Sequence, residues 1–114
     1  MPLMTTLINT KQANEAKIAF IKQASKMTSQ ALGKSEDYVM CLIDDGQTLL
    51  FGGSESPAAY VEFKSIGLPE EDTGALAQSI CALIEEQLNI SADRVYIEFS
   101  NAQRHLWGWN NRTF

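Results

Sequence analysis

AAYVEFKSI, residues 58–66, alternates apolar and polar side chains over the length of a typical strand with one buried face. Residues 67–72 follow as Gly-Leu-Pro and three acids, a composition that favours the first turn of a helix because the helix dipole attracts negative charge. Apolar residues then recur at positions 76, 80, 83, 84 and 88, which is the spacing of one helix face. Residues 94–99 return to the alternation of a strand. This half of the chain therefore predicts a strand, a helix and a second strand.

The first half of the chain repeats this order of elements with little sequence identity. Residues 3–8 are apolar and rich in Thr, as in a strand, and residues 12–32 carry small and apolar side chains at helical spacing. Gly33 stands where a helix terminator is expected. The continuous apolar run 38–43 predicts a strand that is covered on both faces. After an Asp-Asp-Gly-Gln turn, residues 48–51 are predicted to return as the hairpin partner of that strand.

These elements predict an α+β fold built from two β-α-β pseudo-repeats, with an added strand after each. Both helices are expected on one face of a four-stranded mixed sheet. The length of 114 residues fits a single domain that spans 1–114. The other face of the sheet also carries apolar residues, and no helix remains to cover it. We therefore expect another copy of the chain to bury that face.

Composition and charge narrow the functional class. The net charge is −5 and the basic residues form no cluster, so nucleic acid is not expected as a partner. Two Cys in separate apolar runs and a single His make neither a disulfide framework nor a metal site. The sequence has no signal-peptide pattern and no apolar run near the roughly 20 residues that span a bilayer. The expected location is therefore the cytoplasm, without membrane contact, although export by a route without a signal peptide stays open.

Pro2 is the first candidate for chemistry. A small residue after the initiator Met1 normally allows the methionine to be removed, so the mature chain is expected to begin with a secondary amine. Such an amine can accept and return a proton if its pKa is lowered toward working pH. Control of protein turnover and an extended first strand are the alternative explanations for a proline at this position.

Three other segments could bind a ligand. Lys34 either lies favourably beside a helix C-terminus or binds a carboxylate as a compact charge. Ser65-Ile66-Gly67 either ends a strand with free main-chain groups or forms an ordinary turn. The tail 106–114 has two Trp and a terminal Phe among Gly and Asn, which do not make a helix face. These aromatics are expected to line a pocket, to seal an interface between subunits, or to do both.

Several short motifs, in this order and spacing, resemble the macrophage migration inhibitory factor (MIF) family of the tautomerase superfamily. No single motif is specific, but together they extend over nearly the whole chain. They are Pro2, Gly33-Lys34 with Tyr38, Phe51-Gly52-Gly53-Ser54, Ser65-Ile66-Gly67, Asp93-Arg94-Val95-Tyr96-Ile97, and Gly108-Trp109-Asn110-Asn111 with Thr113-Phe114.

The resemblance implies a homotrimer whose sheets form a central β-barrel, with a site between neighbouring subunits. It implies a keto–enol tautomerase acting on phenylpyruvate-type α-keto acids, with Pro2 as general base and acid and with no metal or organic cofactor. The amine must then be neutral, so burial and a nearby cation such as Lys34 would have to lower its pKa. The implied substrate contacts are Lys34, the backbone of Ile66, Tyr96 from a neighbouring subunit, Glu98, Tyr38, Trp107, Trp109 and Phe114.

The chain departs from the family pattern at two places. Glu98 replaces an Asn that, in better-known members, meets the far, hydroxylated end of the substrate. A carboxylate there accepts hydrogen bonds but cannot donate them and repels anions, so dopachrome-like compounds are expected to bind poorly. Ala58 and Val61 replace a CxxC pair seen in some relatives, so thiol oxidoreductase activity is not supported. A non-catalytic, cytokine-like trimeric binding protein that retains the pocket, and a small ligand-sensing domain, are the alternative functions.

Overall fold

A four-stranded mixed sheet, with the strand order β2-β1-β3-β4, forms the centre of the molecule. β1 runs parallel to β2 and antiparallel to β3, and β3 runs parallel to β4. The computed structural model describes residues 1–114. It contains β1 (Leu3–Ile8), α1 (Asn14–Leu32), β2 (Met40–Asp44), β3 (Ala59–Ile66), α2 (Thr73–Leu88), β4 (Val95–Ala102), β5 (Gly108–Trp109) and β6 (Arg112–Thr113).

Both helices pack on one face of this sheet, as the sequence predicts. From α2, residues Leu76, Ile80, Ile84 and Leu88 are buried, whereas Leu83 is only partly buried. They meet inward-facing side chains of β1 and β3, which alternate with outward-facing ones up to Ser65 and Ile66 at the end of β3, both of which are buried. The fully buried Phe63 of β3 lies near the centre of this core. The alternation of residues 58–66 therefore fixes which face of the sheet receives the helices.

The helix ends follow local signals in the sequence. Gly33 ends α1 with φ of 62°, a left-handed conformation that glycine adopts more readily than any residue with a side chain. The acidic residues after Pro69 form a separate 3₁₀ turn, Glu70–Asp72, rather than the first turn of α2. The helix itself begins at Thr73, so the predicted start is three residues early.

The predicted hairpin partner at residues 48–51 is wrong. Residues 48–50 form no strand, and Phe51 makes only an isolated bridge with Ser54. The turn after β2 instead bonds to the end of β1, because the amide of Gly46 donates to Thr10 O and that of Gln47 donates to Ile8 O. Because these hydrogen bonds hold the turn against the end of β1, which runs parallel to β2, the chain continues after β2 as a loop.

The apolar run 38–43 is not covered on both faces in the single chain. Tyr38 belongs to a 3₁₀ turn, Glu36–Tyr38, and the strand begins only at Met40. Cys41 and Ile43 pack against the core, but Met40 and Leu42 are 63% and 42% exposed. The physical reason is that both helices pack on the opposite face of the sheet, so no element of the single chain covers the second face of β2.

The second face of the whole sheet is open in the single chain. It carries apolar side chains, including the exposed Met40, Leu42 and Tyr96, mixed with an ion pair between Lys64 and Glu62. A patch of this kind is typical of a surface that meets another protein chain. None of the helices is long and apolar enough to cross a membrane.

Candidate active site

The start of β1 forms one wall of a cavity of about 350 Å³. Most of the residues that line this space are apolar. They are residues 1–3, residues 37–40 before and at the start of β2, and residues 107–109 with Phe114. Pro2 is fully buried, and its carbonyl accepts a hydrogen bond from the Met40 amide at 3.0 Å. The sheet therefore holds the N-terminus at a fixed position against an apolar cavity.

This environment favours an uncharged N-terminal amine. The pKa of the Met1 amine is lowered from 8.0 to about 6, first because burial disfavours the charged form. The positive charges of Lys34 and Arg104 lower it further. Removal of Met1 would transfer the terminal amine to Pro2, which is buried more deeply, in the same surroundings.

Lys34 lies at the end of α1, where its main-chain amide donates to Ser29 O at 3.1 Å. Its Nζ donates to the carbonyl of Ile66 at 2.6 Å and to the hydroxyl of Ser65 at 3.2 Å. Two residues that are far apart in the sequence, Lys34 and Ile66, are thus brought together near the N-terminus. The ammonium can hold an anion there as a compact charge.

The aromatic residues of the tail form a wall of the same cavity. Trp109 stacks on Phe114 with ring centroids 5.8 Å apart, and Tyr38 meets Trp109 edge-on at 5.9 Å. Trp107 also lines the cavity, and the guanidinium of Arg112 lies 5.7 Å from the centre of the Trp109 ring. The short β5–β6 ribbon presents these rings because Asn110 and Asn111, both at positive φ, make its tight turn.

Tyr96 and Glu98 lie outside the cavity of their own chain. In the sheet register Tyr96 is level with Tyr60 and Leu7, at the opposite end of β1 from Pro2. Tyr96 is 65% exposed and contacts Phe51, with ring centroids 4.5 Å apart. Glu98 is on the open sheet face and accepts a hydrogen bond from the Tyr60 hydroxyl at 3.3 Å.

Several residues near the cavity, among them Asp37, Met40 and Arg104, are not predicted as site residues from the sequence. Asp37 and Met40 line it, and Arg104 lies close enough to the N-terminal amine to lower its pKa. Arg104 lies two residues before the aromatic tail, so its position in the sequence is the available signal. Asp37 and Met40 gave no signal, because an acid beside a turn and an apolar residue in a strand are both common.

The cysteines are unsuited to redox chemistry. Both are free thiols, and burial together with Glu36 raises the pKa of Cys41 to about 11. Burial and Glu85 also raise the pKa of Cys81. No group of three or more His, Cys, Asp and Glu side chains is arranged to hold a metal ion.

Comparisons with known proteins agree with this fold. The family model for macrophage migration inhibitory factor (MIF) matches residues 1–114. A macrophage migration inhibitory factor homolog from Brugia malayi is 37% identical over 115 residues, which cover 100% of this chain and 99% of that protein. The crystal structure of a homologue from Prochlorococcus marinus has a TM-score of 0.93 at 36% identity and covers 98% of both chains.

A more distant structure shares the fold. The MIF-like protein of Entamoeba histolytica has a TM-score of 0.94 at 23% identity, covering 99% of this chain and 98% of that one. By sequence and by fold, the chain belongs to the macrophage migration inhibitory factor family of the tautomerase superfamily.

Proposed function

We propose that the protein is a cofactor-free keto–enol tautomerase of phenylpyruvate-type α-keto acids, with the amine of Pro2 as general base and acid after removal of Met1. The observation that carries this proposal is the N-terminus, where Pro2 is buried against an apolar cavity and the Met1 amine has its pKa lowered to about 6 by burial and by Lys34. After removal of Met1 we expect the same surroundings to lower the pKa of the Pro2 amine, so that the amine is more often neutral near pH 7 and its conjugate acid returns the proton more readily.

The proposed reaction moves one proton between two ends of the substrate. The neutral Pro2 amine removes a proton from the carbon next to the ketone, and the electron pair left behind forms the carbon–carbon double bond of the enolate. The ammonium formed on Pro2 then protonates the enolate oxygen, which gives the enol and restores the neutral amine. Each step is reversible, so the same groups catalyse ketonisation.

Lys34, which lies beside the N-terminal amine but does not line the cavity, and the aromatic side chains that do line it bind the substrate in this proposal. The Lys34 ammonium pairs with the carboxylate, close to the Ile66 backbone. The stacked rings of Trp109 and Phe114, with Tyr38 and Trp107, pack against the phenyl group. The apolar surroundings also exclude water, which strengthens the attraction between ammonium and carboxylate.

The complete site requires a neighbouring subunit in a homotrimer. The support for this assembly is the open sheet face, which is partly apolar, together with the position of Tyr96 and Glu98 far from their own chain's cavity. In the trimer, a neighbour's Tyr96 and Glu98 close the cavity opposite Pro2. Glu98 then disfavours substrates with an anionic far end, including dopachrome-like compounds.

The test is a phenylpyruvate tautomerase assay on protein whose intact mass shows that Met1 has been removed. Pro2→Gly is the matched variant because it also permits trimming and leaves a primary amine. We expect measurable turnover by the unmodified sequence and a loss of about 100-fold or more in kcat/KM for the variant, the range of a lost acid–base catalyst. Equal rates for the two proteins would reject Pro2 as the base.

Light scattering in solution tests the trimer separately. A trimer that binds phenylpyruvate saturably without turning it over would instead support a binding protein that retains the pocket. A stable monomer or dimer could not form the three-subunit site and would favour a ligand-sensing domain.

A further inference from the structure

Ser65 is a polar exception on the buried face of β3. The other inward-facing positions of this strand are apolar, namely Ala59, Val61 and Phe63, and all four side chains are buried. A hydroxyl in such a place destabilises the fold unless it has hydrogen-bond partners. Its partners therefore indicate what the serine does.

Both partners of the Ser65 hydroxyl belong to the candidate active site. The hydroxyl donates to Ile66 O at 3.1 Å and accepts from Lys34 Nζ at 3.2 Å. Lys34 Nζ also donates to Ile66 O at 2.6 Å, so the three groups form a closed triangle. Because the triangle uses two of the three ammonium protons, the third remains for the N-terminal amine or an anionic ligand.

We propose that Ser65 is a positioning residue, which holds the Lys34 ammonium beside the N-terminal amine and beside the place where a substrate carboxylate binds. A lysine side chain is long and has many rotamers, so one acceptor at Ile66 O leaves its ammonium free to pivot. The hydroxyl of Ser65 supplies a second fixed point. This inference rests on the proposed function only where it concerns the substrate.

The position of the Lys34 ammonium affects how readily the N-terminal amine is protonated. An ammonium fixed beside the N-terminal amine disfavours protonation of that amine. An ammonium that moves away has a smaller effect on it. Ser65→Ala leaves the other titratable groups of the neighbouring elements in place, and of these Arg104 also lowers the pKa of the amine. These groups are Arg104 after β4, Asp37 and Tyr38 before β2, and Lys64 of β3, which lies level with Leu3 and pairs with Glu62.

Ser65→Ala tests the inference, with Thr6→Val as the matched control. Thr6 is also a fully buried residue of the sheet, but its hydroxyl has no hydrogen-bond partner. Two readouts are needed. The first is the pKa of the Pro2 amine, followed by NMR of protein that has lost Met1 and carries ¹⁵N-proline. The second is the pH profile of phenylpyruvate turnover, with kcat and KM fitted separately.

We expect Ser65→Ala to raise the amine pKa, to move the acid limb of kcat/KM to higher pH by the same amount, and to raise KM by about fivefold through the looser carboxylate contact. Thr6→Val should change none of these values. If Ser65→Ala does not fold, Ser65→Cys keeps the side-chain size with a much weaker acceptor and is expected to shift the values in the same direction.

The outcomes separate this inference from the proposed function. An amine pKa that rises in a protein without tautomerase turnover supports the positioning role and rejects the enzymatic one. Turnover in the unmodified protein, with an amine pKa, acid limb and KM that do not change in the Ser65 variants, overturns the positioning role. Loss of thermal stability alone, equal in Ser65→Ala and Thr6→Val, would likewise make Ser65 a purely structural residue.

Discussion

Replacing Lys34 with methionine removes the ammonium next to the N-terminal amine and keeps most of the side-chain volume. The Met1 amine has a pKa of about 6 with Lys34 present, against an ordinary 8.0, and we expect Lys34 to lower the pKa of the Pro2 amine of the trimmed chain in the same direction. The neutral fraction at pH 7 is about 90% at the lower value and about 10% at the higher one. Burial is the larger cause and persists in the variant, so the pKa should rise only part of the way. We expect the neutral fraction at pH 7 to fall by about threefold.

The same substitution also removes the proposed contact with the substrate carboxylate. A charge-assisted hydrogen bond contributes about 1.5–3 kcal/mol, which corresponds to an increase in KM of about 10- to 100-fold. Initial rates of phenylpyruvate tautomerisation from pH 5 to pH 9 measure both effects, because KM reports the contact and the acid limb of kcat/KM reports the amine. Lys22→Met is the matched control, since Lys22 is an exposed residue of the same helix.

The refuting result is a Lys34→Met protein that is folded and has an unchanged KM and an unchanged acid limb. That outcome would remove Lys34 from the site and leave burial and Arg104 as the causes of the lowered amine pKa. A changed KM with an unchanged acid limb would keep the carboxylate contact and reject the electrostatic role.

Two further predictions concern the scaffold around the site. Arg94→Ala removes four hydrogen bonds to main-chain carbonyls of residues 51–57. Urea unfolding should therefore show a loss of about 2–3 kcal/mol, and an unchanged midpoint would mean that this loop holds itself in place. Asp45 accepts hydrogen bonds from the Gln12 amide and from Lys17, and the first of these is the largest cause of its lowered pKa. Its stabilising effect is present above its ordinary pKa of 3.8 and is lost as the pH falls through the lower, folded value. Thermal unfolding of Asp45→Asn should thus depend less on pH below about pH 4 than that of the unmodified sequence, and parallel curves would contradict this.

The elements with a clear period were predictable from the sequence. The alternation of residues 58–66 and the helical spacing of residues 76–88 identify which side chains face the core, and the structure confirms both. Gly33 was also predictable as the end of α1, because its left-handed backbone excludes most other residues. Each of these features depends on residues that are close together in the sequence.

The errors concern features that depend on distant partners. An apolar run such as residues 38–43 indicates burial, but it does not tell whether a helix or another subunit covers the second face. The predicted hairpin at residues 48–51 failed because the preceding turn bonds to β1, a neighbour that local turn chemistry cannot reveal.

The candidate site was predictable only through the resemblance to a family. Lys34 and Ile66 are 32 residues apart in the sequence, and only the tertiary fold, which places the residue after α1 within reach of the end of β3, brings them together. Arg104 gave a weaker signal, because a single arginine before an aromatic tail is also typical of an ordinary surface. Tyr96 and Glu98 lie outside the cavity of their own chain, so their proposed role depends on an assembly that one chain does not contain.

The pH dependence of kcat/KM for phenylpyruvate, measured on protein whose intact mass shows loss of Met1, tests the central claim most directly. The base must be neutral to accept a proton, so kcat/KM should be constant at pH values above the pKa of the Pro2 amine and should fall about tenfold per pH unit below it. Burial and Lys34, which lower the pKa of the Met1 amine, are expected to keep that pKa below the ordinary value of a terminal amine. A profile that is flat from pH 5 to pH 8, or equal turnover by protein that retains Met1, would contradict a free Pro2 amine as the catalytic base.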